Sequence, residues 1–187
     1  MKNWNRKNVL WMLLYLVLYM VGTAITCVLG SVHPIMFVCY QIVAGILLSG
    51  IVIKAFDRIK AFGAALCLSV GIVLIFFLMG DASAWHIVPL IVIGIMAEII
   101  RFATKYNWTG DVISTVIMTF STFGFYGQIW FNRDFTYSEA IEEMPAGYAD
   151  TLMNCSPAWT LPIVLIIGAA VSVLISSLTA KIFKLEK

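Results

Sequence analysis

The stretch that decides the fold class is residues 9–30, VLWMLLYLVLYMVGTAITCVLG, which contains no charged side chain. A bilayer core of about 30 Å requires about 20 apolar residues per helix, so this run is long enough to cross a membrane. It follows Lys2, Arg6 and Lys7, as the core of a signal peptide would, but it is too long for that role and no small-x-small cleavage site ends it. We predict that it is retained as a transmembrane helix.

The whole chain shares this apolar character. Of its 187 residues, 61% are hydrophobic and 12% charged, and the mean hydropathy is +0.96, whereas charged residues make up about 25% of soluble domains. The formal net charge of +2 comes from dispersed basic residues, so we expect no nucleic-acid partner. Cys27, Cys39, Cys67 and Cys155 have no paired short spacing, which argues against disulfides and a zinc site.

Further apolar runs predict that residues 1–187 form one membrane domain. Only helices satisfy their own backbone groups within a single segment, so each run is predicted to be helical. The chain is therefore predicted to be an all-α integral membrane protein. The six predicted spans are residues 8–30, 34–53, 62–80, 86–103, 112–131 and 158–183.

The charges between these spans sort to two sides. Alternate connections carry the basic residues Lys2, Arg6, Lys7, Lys54, Arg58, Lys60, Arg101, Lys105, Lys181, Lys184 and Lys187. The other connections carry one basic residue, Arg133, together with Asp81, Asp134, Glu139, Glu142, Glu143 and Asp150. By the positive-inside rule the basic side is cytoplasmic. Both termini then lie in the cytoplasm, which requires an even number of spans and agrees with six.

One long connection, residues 132–157, falls on the predicted external side. It contains Met144-Pro145-Ala146-Gly147-Tyr148, a turn-like stretch between two segments that could each form a short helix. Long loops in compact proteins are usually functional or disordered. Because this one has enough aromatic and aliphatic residues to pack on the helix ends, we predict that it forms a lid.

Aromatic and polar residues gather at the predicted external helix ends. Trp and Tyr concentrate at membrane interfaces in any such protein; the alternative is a binding cavity with aromatic walls and a few orienting polar groups, which the clustered polar residues favour. The predicted substrate-binding residues are His33, Trp85, His86, Tyr126, Gln128, Trp130, Asn132, Arg133, Asp134 and Trp159.

Two features of this set bear on the ligand. Arg133 could clamp a carboxylate or phosphate with its planar guanidinium, or form an exposed ion pair with Asp134. His33 and His86 could ligate a haem iron or a chelated metal, or could be ordinary rim residues. We expect no intrinsic cofactor and no other metal site, so haem enters only as a transported ligand.

Small residues recur at four-residue spacing in the first and last spans. Such stripes let helices approach closely, either within the chain or against a partner subunit, and the candidate docking residues are Gly22, Thr26, Gly168, Ser172, Ser176 and Ala180. Glu98 lies three residues before Arg101, which predicts a local ion pair. The sequence has no Gly-x-Ser-x-Gly, no His-Glu-x-x-His and no phosphate-binding glycine loop, so we expect no enzymatic activity.

Several segments follow one another in a recognisable order: the six-span plan, Met79-Gly80 to Trp85 before the fourth span, and residues 97–100, 130–134 and 168–180. In this order they resemble the substrate-binding S component of an energy-coupling-factor (ECF) transporter, in the branch named Trep_Strep. The resemblance implies a subunit of the bacterial plasma membrane that binds a micronutrient outside the cell. Its partners would be membrane lipid, a transmembrane T component and two cytoplasmic ATPases, which alone would hydrolyse ATP.

The resemblance leaves the ligand open between haem, or a similar aromatic chelate, and a vitamin. Many S components dock through Ala-x-x-x-Ala in the first helix, whereas residues 10–15 here read LWMLLY, so a dedicated T component is expected. Nickel and cobalt S components carry a histidine after the initiator methionine, and this chain has Lys2 there. The rival classes are a stand-alone secondary carrier and a structural or assembly membrane protein.

Overall fold

The computed structural model describes residues 4–80 and 82–185, and these are helical, with no strand among them. Lys2, Asp81 and Lys187 of the charge pattern lie outside the described residues, as does the side chain of Met79. The helices are α1 (Arg6–Val32), α2 (Pro34–Val38), α3 (Tyr40–Arg58), α4 (Ala64–Met79), α5 (Ala84–Ala103), α6 (Trp108–Met118), α7 (Phe123–Tyr126), α8 (Gln128–Phe131), α9 (Arg133–Glu143), α10 (Tyr148–Cys155) and α11 (Thr160–Phe183).

Four of the described helices are long and apolar enough to cross a membrane: α1, α3, α5 and α11. Helix α4 is also apolar but has only 16 residues. The predicted span 112–131 is not one helix, because it divides into α6, α7 and α8. Thr119, Ser121 and Thr122 lie at the division, and such hydroxyl side chains offer backbone groups an alternative to helical hydrogen bonds.

The outer surface of the long helices is apolar. Leu10 of α1 is 68% exposed and Ile166 of α11 is 69% exposed, and many other large aliphatic side chains on these helices are exposed as well. A soluble protein rarely exposes such continuous apolar surface, whereas lipid tails cover it without loss. The surface and the lengths of the helices together establish a multi-pass integral membrane protein.

Contacts bring several of the basic segments together at one end of the bundle, here called the basic end. The Lys54 ammonium lies 3.2 Å from the centre of the Phe183 ring, and Arg58 lies over Trp11. At the other end, the lid end, α9 and α10 cover the helix termini, and the Tyr148 hydroxyl donates to the Gly30 carbonyl at 2.7 Å. The membrane side of each end remains the sequence-based prediction.

A buried arginine organises the basic end. Arg101 donates through Nε to Asp111 at 2.8 Å and through Nη2 to the carbonyl of Ile59 at 2.9 Å, so it joins α5, α6 and the end of α3. The predicted pair with Glu98 is present at 3.9 Å, and Glu98 in turn accepts from the backbone N–H of Ala65 at 2.9 Å. The stronger partner, Asp111, was not predicted, because a pairing ten residues away depends on the turn between α5 and α6.

The small-residue stripes are buried inside the chain. The six predicted docking residues are all buried, so these stripes pack helices of this chain against one another. Ser49 of α3 donates to Ser172 of α11 at 2.7 Å. A Cβ added at Gly168 would lie 2.9 Å from the carbonyl oxygen of Gln41, so the glycine is what lets α11 approach α3.

We predict that Gly168→Val will destabilise the protein, because the new side chain must force α11 away from α3. Overpacking of this kind usually costs about 1–3 kcal/mol. Thermal unfolding in detergent measures the effect, and Ala170→Val on the exposed face of α11 is the control. An equal change in both variants would contradict the close α3–α11 contact.

We also predict that Asp111→Ala will destabilise the basic end by about 3 kcal/mol, since removing one partner of a buried ion pair leaves an uncompensated charge. Glu98 compensates only in part, because it lies 3.9 Å from Arg101. Denaturant unfolding followed by circular dichroism measures the loss. Glu142→Ala, which removes an exposed acid from α9, should change the stability by less than about 0.5 kcal/mol.

Candidate ligand-binding cavity

The site is built on the division of the chain after α6. Between Met118 and Phe123 the backbone leaves the α-helix, and two short helices, α7 and α8, turn it along the lid end. Gly124 makes this course sterically feasible, since a Cβ there would collide with the carbonyl oxygen of Trp85 in α5. The turn places Phe125 and Gln128 beneath the lid.

Side chains from α1 and α3 stabilise the division. The Tyr19 hydroxyl lies 2.6 Å from Ser121 Oγ and 2.9 Å from the Met118 carbonyl oxygen, within hydrogen-bond distance of both. Gln41 donates to Thr119 Oγ1 at 2.9 Å and accepts from the Tyr126 hydroxyl at 2.5 Å. These hydrogen bonds give partners to the Met118 carbonyl and to the buried hydroxyl groups of Thr119 and Ser121, where the helix ends.

A cavity of about 200 Å³ lies between this turn and the lid. Helices α5, α7 and α8 form its inner wall, the junction of α1 and α2 forms one side, and α9 and α10 form its roof. Its lining residues are Gly30, Ser31, Phe37, His86, Phe125, Gln128, Phe135, Thr136, Glu139, Ala140, Glu143, Met144, Tyr148 and Leu152.

Two of the predicted site residues line the cavity, His86 and Gln128. The His86 ring stacks on Phe76, with centroids 5.0 Å apart, and meets the edge of Phe125 at 5.7 Å. Gln128 Nε2 donates to the Gly124 carbonyl at 3.1 Å and lies 3.4 Å from His86 Nε2. Both side chains are therefore held in fixed positions on the inner wall.

The predicted aromatic residues lie around the cavity rather than in it. Trp85 is 57% exposed and Trp159 is 65% exposed, positions typical of an interfacial aromatic belt. The Trp130 indole donates to Thr160 Oγ1 at 3.1 Å, which joins α8 to α11. Tyr126 is fully buried and stacks on Tyr40, with centroids 4.7 Å apart.

The other predicted residues serve the local backbone or face outward. His33 is exposed, and its Nδ1 accepts from the N–H of Ile35 at 3.2 Å, so it caps α2. Asn132 is the residue between α8 and α9, and Asp134 is exposed on the first turn of α9. None of these three residues lines the cavity.

Arg133 binds backbone carbonyls of the lid. Its guanidinium donates to the carbonyls of Ser156 at 2.5 Å, Met153 at 3.1 Å and Ile129 at 3.3 Å. Basic side chains commonly satisfy the unpaired carbonyls at a helix C-terminus. Arg133 thus ties the end of α10 to α8, and its donors are engaged in holding the lid.

A family model described as "Hypothetical bacterial integral membrane protein (Trep_Strep)" matches residues 6–186. The chain belongs to the Trep_Strep family. The match extends over α1 to α11 and agrees with the apolar outer surface of the long helices. No curated protein and no solved structure matches the chain.

Most of the residues that line the cavity in this Trep_Strep protein were not predicted. Five of them lie on one face of α9, where lining positions recur every three to four residues: Phe135, Thr136, Glu139, Ala140 and Glu143. That spacing is readable in the sequence and could have identified the face. Phe37 and Phe125 carry no such signal, because other aromatic residues, such as Tyr40 and Phe123, lie close to them in the same segments.

Tyr148 closes the roof on the α1 side. Its hydroxyl donates to the Gly30 carbonyl, and burial raises the pKa of this hydroxyl to about 12. Tyr137, by contrast, donates to Asp150 at the exposed surface of the lid, at 2.9 Å. The lid is therefore attached through Tyr148 on one side and Arg133 on the other.

We predict that Arg133→Gln will loosen the lid, because three backbone carbonyls lose a shared donor, and each unpaired buried acceptor costs about 1–3 kcal/mol. Hydrogen exchange of residues 148–156 should accelerate at least tenfold. Asp134→Asn, which alters the adjacent exposed side chain, should leave the exchange within twofold. Equal exchange in the two variants would contradict the tethering role of Arg133.

Proposed function

We propose that this Trep_Strep protein is the substrate-binding S component of an ECF-type importer and that it binds a small organic micronutrient beneath the lid. The observation that carries the proposal is the cavity itself. It has aromatic walls, a few fixed polar groups and a roof of two short helices, which is the usual construction of a small-molecule site. A membrane anchor would need no such space.

The energy for transport would come from partners. The sequence has no nucleotide-binding glycine loop, so a T component and two ATPases are the proposed source. The small-residue stripes are buried between helices of this chain. A T component would therefore bind to the exposed apolar surface of the long helices. The first helix lacks Ala-x-x-x-Ala in its basic-end half, and this supports a dedicated T component.

The lining favours a ligand smaller than haem. The cavity of about 200 Å³ is below the range of about 300–1,000 Å³ that is common for drug-sized ligands. Of the two histidines, only His86 lines it, and the Arg133 donors that would bind a propionate are engaged with carbonyls. Haem is tested directly by titration, since axial ligation shifts the Soret band and His86→Ala would abolish that shift.

A stand-alone secondary carrier is the second candidate. Secondary carriers often have discontinuous helices and ionisable residues within the membrane. The division between α6 and α7 is such a discontinuity, and Glu98, Arg101 and Asp111 are buried ionisable residues. The ion pairs hold these three residues in a structural cluster, and therefore the importer subunit is the preferred proposal.

Purification from the native membrane in mild detergent distinguishes the two functions. We predict that two ATPase subunits and a T component will co-purify and that mass spectrometry will detect a retained small molecule. Gln128→Leu should reduce the retained molecule at least tenfold, because it removes a fixed polar group from the cavity wall. Ser138→Leu, on an exposed part of α9, is the matched control.

Two results would contradict the proposal. Transport by the isolated protein in liposomes, driven by an ion gradient, would favour the secondary carrier. Purification without ATPase subunits and without a retained molecule would favour a structural protein.

A further inference from the structure

The charges around the cavity indicate which ligands it accepts. We propose that its ligand is a small organic cation with an aromatic or apolar body. This inference rests on the proposed function, because it names the ligand class of the same cavity.

The first observation is the pair of carboxylates in the roof. Glu139 and Glu143 lie one helical turn apart on the face of α9 that lines the cavity. Like charges at this spacing repel each other. A cation bound between them and the inner wall would relieve that repulsion, whereas an anion would increase it.

The second observation concerns the basic residues. Among the residues that the structure describes, no lysine or arginine lines the cavity. Arg133 is the nearest basic residue in the sequence, and its guanidinium donates to three carbonyl oxygens of α8, α10 and Ser156. A carboxylate or phosphate ligand would therefore meet acidic groups without a cationic partner.

The third observation is an unpaired acceptor on the inner wall. Gln128 is less than one-tenth exposed, and the donation of its Nε2 to the Gly124 carbonyl fixes the orientation of the amide. Its Oε1 then has no hydrogen-bond partner among the described residues, although it belongs to a side chain that lines the cavity. An acceptor on a side chain as buried as Gln128 is normally paired, and the N–H of an ammonium group in the cavity would pair with it.

The walls suit the body of such a ligand. Phe37 and Phe125 meet edge to face at 5.4 Å, and Phe135 faces the same space from the roof. Aromatic faces attract cations, and they also cover an apolar ring. Within the described residues there is no group of three metal-binding side chains, so the geometry favours an organic cation over a bare metal ion.

Three phenyl compounds of similar size and different charge test the proposal. They are 2-phenylethylammonium, 3-phenylpropanamide and 3-phenylpropanoate, titrated calorimetrically into the purified full-length protein at pH 7. We expect the ammonium compound to bind at least tenfold more tightly than the carboxylate, with the amide between them. A preference for the carboxylate, or no measurable binding of the ammonium compound, would overturn the proposal.

Glu143→Gln and Glu142→Gln are a matched pair, because they remove the same charge from adjacent positions and only Glu143 lines the cavity. Glu143→Gln should reduce the preference for the ammonium compound at least fivefold, and Glu139→Gln should act likewise. Glu142→Gln should leave the preference within twofold. An equal effect of Glu142→Gln would assign the preference to general surface charge and overturn the site.

The molecule retained after native purification separates this inference from the proposed function. If ATPase subunits co-purify and the retained molecule is neutral or anionic at pH 7, the cation class is wrong and the importer function stands. If neither the ATPase subunits nor a small molecule is retained, the importer function itself is wrong.

Discussion

The hydrogen bonds that hold the division between α6 and α7 are the interactions on which the candidate site depends. Inside an apolar bundle, a helix can end only where its backbone groups find other partners. Tyr19 reaches the Met118 carbonyl, while Gln41 links Thr119 to Tyr126. Because these groups are paired, the chain can turn at the lid end and place Phe125 and Gln128 beneath the roof.

The two ends of the bundle are stabilised in different ways. At the basic end, Arg101 is fully buried and bonded to Asp111 and to a carbonyl of α3, so several helices are fixed by one side chain. At the lid end, α9 and α10 are attached through Arg133, Tyr148 and a small buried cluster that includes Ala140 and Leu152, while most of α9 is exposed. Regions with few buried contacts open at lower free energy than the core. This difference agrees with the proposed function, in which the roof opens for a ligand while the basic end keeps its shape.

Some signals in the sequence indicate the family and the lid, whereas the aromatic residues at the helix ends do not indicate the cavity. The order of motifs identified the Trep_Strep family, and a short helical segment was predicted on either side of the turn-like stretch Met144–Tyr148; in the structure α10 already begins at Tyr148. Trp85 and Trp159 were predicted as cavity walls, but they are exposed, because an interfacial aromatic can face lipid as readily as a ligand. The sequence predicts Glu139 and Glu143 only as charges on the external side; the helix α9 places both on the face that lines the cavity.

The sequence by itself determined that this protein lies in a membrane, that it is helical and that its charges alternate between connections. Each of these follows from the length of an apolar run or the position of a charge, which are local properties. The sequence did not determine that the fifth apolar run divides, that Arg133 binds carbonyls, or that Asp111 pairs with Arg101. Those outcomes depend on which distant groups meet after the helices pack, as Tyr19 meets Ser121 across 102 positions of sequence. In an apolar interior each polar group takes the partner that packing supplies, so only the tertiary structure decides which residues remain available to a ligand.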